Sequence, residues 1–214
     1  MRNVYGKEVE EIQGCFKDLS HLVLDHLRIC KINLKNHQDE DGEFMKIDQW
    51  TVNHLQRHLE ERCFAFIMKQ QPVAKDYRYL SGLIKFSEDY AKISRQCEDI
   101  QDILSSIEKP IESEMYDILM NMVDHVEAML VKGTEGILQK INVEEENINV
   151  HEECLDDLYR KLGVLCVELI KEDSSKDHSF IETLQIGKYF ERMGDHCEKI
   201  SQWCQYVVTG KYPK

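Results

Sequence analysis

The chain has 214 residues, long enough to bury a sizeable core as one domain or as a tightly packed pair of halves. Apolar residues make up 42% of it, with three prolines and ten glycines, which excludes a disordered or fibrous chain. Forty acidic residues against 27 basic ones give a formal charge of −13, a surface that repels phosphate backbones and argues against nucleic-acid binding.

No run approaches the roughly 20 apolar residues of a membrane span. The first ten residues lack the apolar stretch of a signal peptide, so the protein is expected to be cytoplasmic and to meet any membrane machine from outside. Val and Thr are sparse while Glu, Lys, Leu and Ile are plentiful, which points to an all-α fold. Eight cysteines stand at 15, 30, 63, 97, 154, 166, 197 and 204 without a Cys-x-x-Cys pair, and several occupy apolar helical positions. They read as buried, reduced thiols.

Six helices are legible. The first is predicted over about 7–38, from Val9, Ile12, Phe16, Leu19, Val23 and Leu27, and ends at Asp39-Glu40-Asp41-Gly42. The second, about 46–70, carries Ile47, Trp50, Leu55, Leu59, Phe66 and Ile67 and is stopped by Pro72. Asp76 is the expected cap of the third, about 77–105. Pro110 suits the first turn of the fourth, about 110–141, whose Met115–Met129 face reads as core and whose Gly133 and Gly136 are expected to loosen it. The fifth covers about 146–171. The sixth opens on Ser179-Phe-Ile-Glu182, which has the form of a capping box, and runs to Gly210.

Residues 86–100 align without gaps on 186–200: Tyr90 falls on Phe190, Lys92 on Arg192, Ile93 on Met193, Cys97 on Cys197, Glu98 on Glu198 and Ile100 on Ile200. The expected architecture is therefore two tandem three-helix bundles related by internal duplication, with residues 1–107 and 108–214 as the two halves. The acidic residues do not follow the duplication. Glu191 faces Ala91 and Asp195 faces Arg95.

Glu191 and Asp195 are four apart, so they lie about 40° from each other on one helix face. Like charges at that spacing repel, and Lys188, Arg192 or a cation would compensate. Glu152 and Asp156 form a second such pair on helix five. If helices five and six are neighbours, four carboxylates face one another, a donor set for hard cations and for iron. The bland reading is a solvated acidic face.

Glu191-Arg-Met-Gly-Asp195-His196 resembles the Glu-Arg-Ile-Gly-Asp signature of the PhoU family of phosphate-transport accessory regulators. Gln71-Pro-Val-Ala-Lys-Asp76-Tyr-Arg78 is similar to that family's joint between its second and third helices. Glu152-Glu-Cys-Leu-Asp156-Asp-Leu-Tyr159 is similar to its acidic fifth-helix motif, and Val207-Val-Thr-Gly210 also fits. The resemblance covers nearly the whole chain. It implies a cluster of iron, manganese or magnesium held by Glu152, Asp156, Glu191 and Asp195 in the C-terminal half alone, with His196 and Arg192 supporting it. In the N-terminal half the nearest matches to the missing acids are Gln49 and Asn53, beside Ala91 and Arg95, so no second cluster is expected there. Arg95 is expected to neutralise Glu98 or Asp99, or to meet a partner. The implied partners are the cytoplasmic components of a phosphate ABC transporter and a sensor histidine kinase, the implied position is peripheral to the membrane, and the implied oligomer is a homodimer.

His54 and His58, four apart on helix two, read as a solvated face rather than a metal site. Asp25-His26 and Asp124-His125 read as surface. Gly187 and Gly194, seven apart, read as places of close helix packing. No nucleophile elbow, phosphate loop, dinucleotide fingerprint or Ser/His/Asp order is found, so no enzyme activity is expected. Two other readings stay open: a metal-free helical scaffold serving another transporter or pathway, and a carboxylate-bridged metal enzyme, though the paired Glu-x-x-His motifs of the latter are missing.

Overall fold

A computed structural model describes residues 2–39, 42–141, 145–172 and 177–211. Among them are six α-helices and no strand: α1 (Arg2–Asn36), α2 (Gln49–Gln70), α3 (Ala74–Ser106), α4 (Ser113–Gln139), α5 (Glu145–Glu172) and α6 (Asp177–Thr209). The helices α1, α2 and α3 pack on one another, as do α4, α5 and α6. The two bundles meet along α3 with α6 and along α1 with α4, which leaves α2 and α5 outermost, each touching only helices of its own half.

The core follows the apolar stripes. Phe16, Leu19, Val23 and Leu27 of α1 are fully buried, as are Leu80, Phe86, Tyr90 and Cys97 of α3 and Phe190, Met193 and Ile200 of α6. Phe16 meets Tyr90 edge-on, with ring centroids 5.4 Å apart. The duplicated positions keep their roles, since Tyr90 and Phe190, Cys97 and Cys197, and Ile100 and Ile200 are all buried. Six of the eight cysteines are buried, and Cys15 and Cys154 half-buried.

Helix ends differ from expectation where local chemistry chose another residue. Asp76 does not cap α3; Val73 does so without a side-chain bond, and the Asp76 carboxylate instead accepts from the Tyr5 hydroxyl at 2.7 Å. Pro110 lies outside α4, whose cap is Glu112, accepting from the Glu114 amide at 2.8 Å. Ser179 lies inside α6 rather than capping it, and Glu182 of the expected capping box accepts from the Ser106 hydroxyl at 2.8 Å. The α1 stop sequence is only partly visible: α1 ends at Asn36, and Glu40 and Asp41 lie outside the described residues. Before Pro72, Gln71 adopts a left-handed conformation (φ 44°) and donates its amide to the Ile67 carbonyl, closing α2. Gly133 and Gly136 do not loosen α4, which is continuous. A β-carbon at Gly133 would stand 2.9 Å from Ile200 Cγ2, so this glycine lets α6 come close.

Candidate metal centre

The register of α5 on α6 is set by two glycines. A β-carbon at Gly194 would lie 2.6 Å from Leu155 Cδ1, and one at Gly187 would lie 2.4 Å from Leu162 Cδ2. Leucines seven apart on α5 thus sit over glycines seven apart on α6, in antiparallel order. This is the close packing expected of Gly187 and Gly194.

That register decides which acids meet. With Leu155 level with Gly194, Glu152 comes level with Cys197, between Asp195 and Glu198. The electrostatics agree. The Glu152 carboxyl is held above its usual range, first by burial and then by the negative charges of Glu198, Asp156, Asp195 and Glu153. Glu152, Asp156 and Asp195 therefore share a field, as their spacing suggested. Glu198 joins them; in the sequence it stands out only as the match to Glu98 in the duplication. Its Oε1 accepts from Gln202 Nε2 at 2.8 Å.

Glu191 is placed differently. Its level on α6 is that of Leu158, and it is not among the charges that most raise the Glu152 carboxyl. Lys188, one turn before it, brings Nζ to 2.5 Å from Glu191 Oε2. This contact is an ion pair of poor hydrogen-bond angle, since the same buried oxygen has no well-directed donor. Lys188 was one of the compensating charges expected from the sequence. Arg192 is exposed. His196 does not reach back to Glu191. It crosses to the other half, where Nδ1 lies 3.0 Å from Asp89 Oδ1. Among the described residues no three His, Cys, Asp or Glu side chains are arranged to hold a metal ion. The donor set of Glu152, Asp156, Asp195 and Glu198 suits a hard, oxygen-loving cation, and its mutual repulsion is the kind a cation relieves.

Two histidines read as surface prove to be structural. His125 of α4 is half-buried, and its Nδ1 is 2.8 Å from Nδ1 of His151 on α5. Lys132 Nζ lies 3.3 Å from the other nitrogen of His151. Burial, then Lys132 and His125, push the His151 pKa down. His26 of α1 is buried outright, 2% exposed. It heads a chain in the N-terminal half that occupies the place of the missing acids. The Asp48 amide donates to His26 Nε2 at 3.4 Å, so Nδ1 carries the proton and donates to Ser94 Oγ at 2.7 Å. Ser94 donates to Gln49 Oε1 at 2.6 Å, and Gln49 Nε2 donates to Asn53 Oδ1 at 3.1 Å and to the Ala91 carbonyl at 3.2 Å. Every member is uncharged. Arg95 is exposed, and its charge pulls the Asp99 carboxyl down against a larger upward push from burial.

The PhoU domain family matches residues 17–104 and again 113–204. The chain belongs to the PhoU family. It is 20% identical to a phosphate-specific transport system accessory protein PhoU homolog of Clostridium acetobutylicum, over 98% of this chain and 96% of that protein. A PhoU homolog 1 of Thermotoga maritima is 24% identical over 76% of this chain and 71% of its own length. The fold matches the crystal structure of PhoU from Pseudomonas aeruginosa with a TM-score of 0.87 at 18% identity, covering 97% and 100% of the two chains. It also matches the phosphate transport system regulatory protein PhoU from Streptococcus pneumoniae, with a TM-score of 0.84 at 19% identity and coverages of 98% and 99%. The two matched segments correspond to the two three-helix bundles, and the altered N-terminal site lies inside the first.

Proposed function

We propose that this PhoU-family protein is a cytoplasmic regulator of phosphate uptake and phosphate-starvation signalling, without catalytic activity of its own. It works as an adaptor, docking on the cytoplasmic components of a phosphate ABC transporter and on a sensor histidine kinase, and keeps starvation signalling off when phosphate is plentiful. The observation that carries this reading is the match of the PhoU domain to both halves. It is supported by relatives named as phosphate-specific transport system accessory proteins across nearly the whole chain. Among the described residues no helix is long and apolar enough to cross a membrane, as suits a protein that meets its transporter from one side.

In the same reading Glu152, Asp156, Glu191 and Asp195 hold an iron, manganese or magnesium centre in the C-terminal half, with Glu198 as a further oxygen donor. A bound cation would supply charge neutralisation, and the acids would be the groups it stabilises. The direct test is elemental analysis of the purified protein beside the Glu191→Gln/Asp195→Asn variant, with melting temperatures measured with and without Mn²⁺, Fe²⁺ and Mg²⁺. Metal and a raised melting temperature in the wild type, both lost in the variant, are the expected result. The rival, a metal-free scaffold, has one specific observation in its favour: Lys188 already neutralises Glu191. It predicts no metal in either protein and an unchanged melting temperature. The regulatory reading is tested separately, by affinity capture from cells grown at high and low phosphate. Recovery of transporter and kinase components is expected, and recovery of neither under both conditions would reject it.

A further inference from the structure

The helices α4 and α5 run antiparallel, with Glu114 of α4 paired to Lys161 of α5 toward one end and His125 beside His151 toward the other. The two imidazoles come from different helices and meet through the same ring atom, Nδ1 to Nδ1 at 2.8 Å. Their ring centroids are 5.1 Å apart, with planes at 64°. Both side chains are half-buried.

Lys132, about two turns beyond His125 on α4, fixes where the protons lie. An ammonium only donates, so its 3.3 Å contact makes His151 Nε2 an acceptor. The His151 proton is then on Nδ1 and is donated to His125 Nδ1, and His125 carries its own proton on Nε2. Both rings are neutral in this arrangement, the form in which imidazole is a ligand.

The pair stands apart from the acidic residues. Glu152 follows His151 but projects about 100° away around α5, where it feels Asp195 and Glu198 of α6. Asp124 and Glu127, close to His125 in sequence, are engaged by Lys31 and Arg28 of α1. The groove between α4 and α5 thus holds two nitrogen donors and an ammonium on a flexible stem. Two imidazole nitrogens that share a tetrahedral metal at about 2.0–2.1 Å each stand about 3.3 Å apart. His125 and His151 reach that spacing by separating about half an ångström, a change within the reach of two side-chain rotations. The metal takes the place of the proton between the rings. His151 then carries its proton on Nε2, and Lys132 turns to solvent.

We propose that His125 and His151 form a binding site for a divalent transition-metal ion of the zinc type, which bridges α4 to α5. Among the described residues no third His, Cys, Asp or Glu joins them, so water completes the coordination. Nitrogen donors select zinc, nickel and copper over magnesium and calcium. The site therefore differs in chemistry from the all-oxygen cluster between α5 and α6, and it depends neither on that cluster nor on the regulatory reading.

The test uses the full chain carrying Glu191→Gln and Asp195→Asn, which disables the acidic cluster beforehand, with Zn²⁺ alone as the ligand. Imidazole ¹⁵N NMR is followed as Zn²⁺ is added, affinity is measured by calorimetric titration, and far-UV circular dichroism shows that each protein is folded. The Nδ1 signals of His125 and His151 are expected to move together in one saturable step, distinguished by assignment from those of His54 and His58. His125→Gln and His151→Gln should each weaken this binding at least about tenfold. Lys132→Met removes the competing ammonium and should tighten it severalfold. Rings that do not respond to Zn²⁺ overturn the proposal, as does binding that survives both histidine replacements or is weakened by Lys132→Met. If a histidine variant does not fold, the ring signals and Lys132→Met still decide.

Discussion

His26 illustrates how much one side chain decides. Its two ring nitrogens are both engaged, and its place at the head of the Ser94–Gln49–Asn53 chain requires the neutral form. Burial lowers its pKa, against the smaller upward pull of Asp48 and Asp25. The unfolded chain therefore binds a proton more readily than the folded one just below pH about 6.5. His26 contributes stability that is complete above that pH and is lost as pH falls toward the lowered folded value. Denaturant unfolding at pH 7.5 and 5.5 should show the wild type weaker at the lower pH. His26→Ala should cost about 2–4 kcal/mol at pH 7.5 by leaving Ser94 and the Asp48 amide without their partner, and less at pH 5.5. His151 acts in the same direction, so a residual pH slope remains in the variant. The same residue heads an uncharged chain of hydrogen bonds at the positions where the C-terminal half carries carboxylates.

At the scale of elements, the candidate centre exists because α5 and α6 run close together in one register. Leu155 and Leu162 rest on Gly194 and Gly187. Filling those places must push the helices apart or force the leucines from their rotamers. Gly194→Val is expected to cost about 1–3 kcal/mol and to lower Glu152's altered carboxyl pKa toward normal by moving Asp195 and Glu198 away. Gly163, also on α5, is a control. Its added β-carbon would come no nearer than 4.0 Å to Leu184 Cδ1, so Gly163→Ala should gain up to about 1 kcal/mol from helix propensity. Thermal unfolding of the two variants, with NMR titration of Glu152, checks both outcomes. Asp76 and Ser179 have the composition of caps, but Asp76 is engaged by Tyr5 of α1, and α6 begins two residues before Ser179.

The two bundles share buried polar ties as well as apolar surface, so the whole molecule is expected to unfold as one unit. The Tyr90 hydroxyl of α3 donates to Thr134 of α4 at 2.6 Å, and Thr134 donates on to the Leu130 carbonyl at 2.8 Å. Asp89 of α3 and His196 of α6 are 3.0 Å apart, with side chains 9% and 15% exposed. A double-mutant cycle with Asp89→Asn and His196→Gln should return a coupling of about 1–3 kcal/mol between the halves. Calorimetric unfolding of the wild type should be a single transition with van't Hoff and calorimetric enthalpies equal. Two resolved transitions would mean that the bundles unfold separately and that these ties are weak.

The sequence alone determined the all-α class, the six helices, the tandem duplication and the two acidic pairs. Each of these is written in local order: apolar residues at three- and four-residue steps, a repeat at a constant offset, carboxylates four apart on one helical turn. The tertiary structure decided what those residues touch. Glu198 joins Glu152, Asp156 and Asp195, while Lys188 takes Glu191. His196 turns to Asp89, His125 to His151, and His26 into the core. None of this follows from periodicity, because it depends on the register and direction of one helix against another. Packing of Leu155 on Gly194 and Leu162 on Gly187 sets that register for α5 and α6, and it exists only once both helices are folded together.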